Sequence, residues 1–87
     1  MPTETALRIK TLADLDDTKM CYWKDQELDC WFLYIPRCGA GRLSGHTVEE
    51  HEDGTITVTP SILMYGHSGG NPMQRHGYLT RGVWNES

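Results

Sequence analysis

The stretch that most constrains the fold runs from residue 51 to residue 66, His-Glu-Asp-Gly-Thr-Ile-Thr-Val-Thr-Pro-Ser-Ile-Leu-Met-Tyr-Gly. Asp53-Gly54 supplies residues that tolerate positive φ, as a tight hairpin turn of the primed types requires. Thr55 to Thr59 then alternates polar with apolar and is β-branched throughout, the signature of a strand that buries Ile56 and Val58 on one face. His46-Thr47-Val48-Glu49-Glu50 is its natural partner. Pro60 donates nothing to a ladder, so the strand should end or bend there. Ile62 to Tyr65 reads as a second, more buried strand. Ser61 therefore sits at a bend between two strands.

The remaining chain continues the β pattern. Residues 1–5 read as a loose tail, followed by one domain over 6–87. Ala6 to Leu12 alternates like a half-exposed edge strand. Ala13 to Thr18, with three aspartates, reads as a turn with room for one helical turn. Met20 to Trp23 is a short apolar run, and Leu28 to Ile35 should be a central strand that Pro36 ends. Cys38 to Gly45 reads as a glycine-rich loop, and Gly66 to Arg75 as a long irregular one. His76 to Leu79, a Thr80-Arg81-Gly82 turn and Val83-Trp84 form a terminal hairpin. About seven short strands on this spacing predict a mainly β, single-domain antiparallel sandwich or half-barrel.

Composition narrows the function. The 87 residues carry 23% charged and 38% hydrophobic side chains with a net charge of −4, which fits one small globular domain. No run approaches the ~18 apolar residues of a membrane span. With no basic cluster to neutralise phosphates, nucleic-acid binding is not expected. The N-terminus lacks the basic and apolar regions of a secretory signal. Three cysteines in no pairing pattern read as reduced thiols, so a cytoplasmic location is expected. No phosphate-binding glycine motif is present.

Two constellations carry candidate chemistry. Cys38, His46, His67 and His76 have the ligand types of a tetrahedral zinc site, the first two flanking one loop and the last two another. The alternative for Cys38 is a small buried apolar residue. Ser61 with His76 is a candidate nucleophile and base, which requires hydrogen-bond reach and a third, orienting group. Glu49, Glu50 and Asp53 are the available acids. The alternative for Ser61 is a hydroxyl that caps the Pro-Ser bend, and no Gly-x-Ser-x-Gly elbow is present. Most aromatics are core candidates, while Trp84 and Tyr78 are candidate interface anchors.

The order Pro36-x-Cys38-Gly39, His46, Asp53-Gly54-Thr55-x-Thr57-x-Thr59-Pro60-Ser61-Ile62, then His76-Gly77-Tyr78-Leu79-x-x-Gly82-Val83-Trp84 resembles a family of small domains common in phages of actinobacteria. Related domains accompany bacterial ubiquitin-like conjugation operons, where a peptidase role has been proposed. The resemblance covers about residues 28 to 85. It places Cys38 and His46 at metal-site positions and Ser61 and His76 at the retained serine and histidine. Ile35 or a neighbour stands where the family pattern has its first cysteine, and Met73, Gln74 and Arg75 offer no thiol before His76. The resemblance implies an accessory protein that binds a host or phage protein in the host cytoplasm, in counter-defence or host takeover. Its alternatives are a Ser/His hydrolase of peptide or isopeptide bonds and a zinc-stabilised structural domain.

Overall fold

The computed structural model describes residues 3–87, with Ser68 described by its backbone alone. Among the described residues nine strands form two sheets that face each other across one core, a small β sandwich. In chain order they are β1 (Thr3–Thr5), β2 (Leu7–Arg8), β3 (Cys21–Asp25), β4 (Cys30–Ile35), β5 (Gly39–Arg42), β6 (Thr47–Glu50), β7 (Ile56–Ser68), β8 (Asn71–Thr80) and β9 (Val83–Glu86). The larger sheet has the order β1-β9-β8-β7-β6 and the smaller β2-β3-β4-β5. A 3-10 turn, Leu12–Asp14, overlaps the start of the stretch Ala13 to Thr18 that reads as a turn with room for one helical turn. No helix among the described residues is long and apolar enough to cross a membrane.

The core follows the alternation of the strands. Leu33 and Ile35 from β4 meet Ile56, Val58, Ile62, Leu79 and Trp84 from the larger sheet, with Met20, Tyr22 and Leu43 completing the layer. Each such side chain contributes roughly 1.5–3 kcal/mol by leaving water. β6 and β7 pair as the sequence predicts, with Val48 opposite Val58 and Glu49 opposite Thr57. Their turn differs from the primed type. Only Gly54 has positive φ (88°), Gly54 N–H donates to the His51 carbonyl, and the Asp53 carboxylate accepts from Thr55 N–H and Oγ1. That is a type I turn closed by a left-handed glycine, a three-residue loop that needs one unusual residue rather than two.

Three expected irregular segments are ordered strands. Thr3–Thr5, read as tail, pairs with β9; Met1 and Pro2 lie outside the described residues. The glycine-rich Gly39–Arg42 pairs with β4 as an edge strand. The segment 66–75 forms the far half of the long β7–β8 hairpin, closed by Gly69 and Gly70, both at positive φ. β8 and β9 close through Arg81 (φ 47°) and Gly82 (φ 77°), the pair of left-handed residues that a two-residue type I′ loop demands.

Candidate functional site

β7 is one strand of thirteen residues, but its pairing with β8 shifts register between Val58 and Ile62. Pro60, unable to donate, sits in that irregularity, but the strand neither ends there nor divides into the two strands the sequence reading expected. Beyond it, Leu63 faces His76 and Tyr65 faces Gln74. Ile62 and Leu79 point inward and are buried. Ser61, Leu63 and Tyr65 on β7 therefore share the outward face with Gln74, His76 and Tyr78 on β8.

On that face the Ser61 hydroxyl and His76 Nε2 are 2.9 Å apart, within reach for proton transfer between them. His46 holds Ser61 from the other side, its Nε2 being 3.1 Å from the Ser61 carbonyl and its Nδ1 3.2 Å from the Ser44 carbonyl. Among the described residues none of the three candidate acids stands as the third group of a triad. Asp53 is engaged with Thr55, and Glu50 with Arg8 at 2.7 Å. Glu49 lies on β6, with β7 between it and the strand of His76. Hydroxyl and imidazole thus stand paired on an open sheet face.

The four candidate metal ligands divide into two places. His46 and His76 address Ser61. Cys38 and His67 line a separate cleft of about 610 Å³ with Arg37, Tyr65 and Met73. The cause is β5, which runs extended between Cys38 and His46 and separates them by about 13 Å of strand. Among the described residues no three His, Cys, Asp or Glu side chains are grouped to hold a metal. Burial pushes the Cys38 thiol above its ordinary value, outweighing the nearby Arg75 charge. That favours the protonated form over the thiolate that metals and nucleophilic chemistry use. Cys38 packs against the core but is only partly buried, its other side lining the cleft.

Trp84 is corrected as an interface anchor. It is 1% exposed in the core, because Gly77 on β8 carries no Cβ and lets the indole lie on its backbone; a Cβ there would come within 2.8 Å of the ring. Its indole N–H donates to Glu86 (2.7 Å), which also accepts from Arg75 Nε (2.9 Å). Tyr78 is 47% exposed, as an anchor must be. Sequence reading placed Tyr65 among the core aromatics, yet it is 66% exposed, and Leu63 beside it is 45% exposed. The signal was present: past the Pro60 irregularity only Ile62 and Met64 keep the inward phase.

No protein-family model, curated protein or solved structure matches the chain.

Proposed function

We propose that this chain is a small accessory protein that acts by binding another protein through the outward face of its larger sheet. The observation that carries the reading is the clustering of Leu63, Tyr65 and Tyr78, three large and substantially exposed side chains, around Ser61 and His76. Tyrosines on a rigid sheet present contact area at little entropic cost, and such residues concentrate binding energy. Ser61, His76 and Gln74 supply hydrogen-bonding groups between them. The resemblance to phage domains favours a bacterial protein as partner, met in the host cytoplasm, in counter-defence or host takeover. The test compares capture from host lysate by the natural chain and by a Tyr65→Asp/Tyr78→Asp variant with an unchanged circular-dichroism spectrum. A specific protein held by the first and lost by the second is expected. Equal capture by both removes the face from the reading.

A second reading rests on the 2.9 Å contact between Ser61 Oγ and His76 Nε2. As a hydrolase of peptide or isopeptide bonds, Ser61 Oγ attacks the carbonyl carbon while His76 Nε2 takes its proton. The proton then passes to the leaving amine, and water releases the acyl group from Ser61. Fluorophosphonate labelling of the natural chain that is absent from Ser61→Ala supports this. No labelling above that of the variant sinks it.

A further inference from the structure

A sheet that ends in an exposed strand leaves half of that strand's peptide groups unpaired. Of the four edges here, three are guarded. β2 has two residues. β1 has three and is tethered at Glu4 by Arg75. β6 carries Glu49 and Glu50, and a second copy paired there would set carboxylates against one another.

β5 is different. Its sequence, Gly39-Ala40-Gly41-Arg42, pairs with β4 alone. The direction of its free groups follows from the ladders. Tyr22 uses its carbonyl toward Ile9, on the β2 side, so Cys21, Trp23 and Asp25 turn their peptide groups toward β4. On β4 the partners Cys30, Phe32 and Tyr34 then face β3, and Trp31, Leu33 and Ile35 face β5. Leu43 N–H donating to the Trp31 carbonyl fits this phase. Gly39 and Gly41 therefore spend their groups on β4, and Ala40 and Arg42 direct theirs outward. Both residues are exposed.

We propose that β5 is a self-association edge, where two copies of this chain pair antiparallel about a two-fold axis at Gly41. In that register Ala40 lies opposite the second copy's Arg42 and Arg42 opposite its Ala40. Each of these pairs exchanges both backbone hydrogen bonds. The two Gly41 residues meet at the closely spaced position, where the absence of side chains permits approach. On the outer face each arginine stands beside an alanine, large against small. The two smaller sheets become one sheet of eight strands, and the two binding faces of the larger sheets are carried on one particle.

The edge is short, so the buried area falls below the ~1,200 Å² of stable complexes and association is weak, with Kd on the order of 0.1–1 mM. Two like-charged chains of net charge −4, with their Arg42 side chains about 7–8 Å apart on the diagonal, repel at low salt.

Sedimentation of the full chain from about 10 µM to about 1 mM tests the proposal. A mass rising toward twice the monomer, and rising further in added salt, is expected. Amide exchange at Ala40 and Arg42 should slow with concentration while that at Gly39 and Gly41 stays constant. Ala40→Pro removes a donor that the monomer does not use, so it should stay monomeric at every concentration. Should Ala40→Pro not fold, the exchange pattern of the natural chain decides. A chain monomeric to 1 mM, dimerisation that survives Ala40→Pro, or concentration-dependent protection elsewhere than at Ala40 and Arg42 overturns it.

Discussion

The Glu86 carboxylate accepts from both the Arg75 guanidinium and the Trp84 indole. Burial pushes its pKa up, but hydrogen bonds from Arg75 and the Trp84 indole and the Arg75 charge outweigh this, so the carboxyl titrates below its ordinary 4.5. Arg75 also lies over the Trp84 ring, its guanidinium carbon 5.9 Å from the centroid. A carboxyl held low in the folded state adds stability at pH values above its unfolded pKa. That contribution is lost as the pH falls through the lower, folded value. Thermal melting followed from about pH 7 to about pH 3 should therefore show the natural chain losing its advantage over Glu86→Gln below about pH 4.5. The two melting temperatures should differ by several degrees at neutrality and converge in acid. A gap that persists unchanged to pH 3 would assign the Glu86 contribution to shape rather than charge.

At the scale of elements, turns decide how the strands are joined, and those at Arg37 and Arg81 hold long side chains at positive φ, where they fit poorly. Arg81 (φ 47°) occupies a left-handed position that costs an ordinary side chain roughly 1–2 kcal/mol, less for asparagine. Its backbone N–H donates to Thr57 Oγ1, a bond that any non-proline residue keeps. Arg81→Asn, giving Asn-Gly in the type I′ loop, should stabilise the chain by about 0.5 kcal/mol in urea unfolding, with an unchanged slope. The same chemistry explains what could be read beforehand. Alternation located the β6–β7 hairpin, and Pro36 the end of β4. Glycine-rich runs were misread because glycine signals both loops and strands where another chain segment comes close. Gly41 in β5, facing the Met64 methyl group, and Gly66 in β7, against the Arg37 backbone, are of the second kind. The Ser61–His76 pair was legible as residue types, but the contact depends on a register shift that no single-residue preference encodes. The division of Cys38 from His46 was hidden because it follows from β5 being extended.

Across the whole molecule, the long β7–β8 hairpin would project beyond the core were it not pinned to the smaller sheet. The pin is narrow. His67 N–H donates to the Arg37 carbonyl (3.0 Å) in the β4–β5 turn, and Gly66 lies so close that a Cβ there would collide with that same carbonyl. Arg37 is itself held at positive φ (72°), which aims the turn at the hairpin. This contact positions the far part of the outward face, with Tyr65, relative to the cleft of Cys38 and His67. Ser61, His76 and Tyr78 lie nearer the core end of the hairpin, where Ile62 and Leu79 anchor the strands. Gly66→Ala should therefore divide the molecule: the clash with backbone cannot be relieved by a rotamer change and costs about 1–3 kcal/mol. The hairpin tip should detach before the core yields. Amide exchange is expected to speed up at His67 and its neighbours while Ile62, Leu79 and Trp84 stay protected. Uniform acceleration across both sheets would instead make the pin part of the global fold. Protein capture then gains a second readout, since a partner that needs Tyr65 should weaken in Gly66→Ala and one that needs only Tyr78 should not.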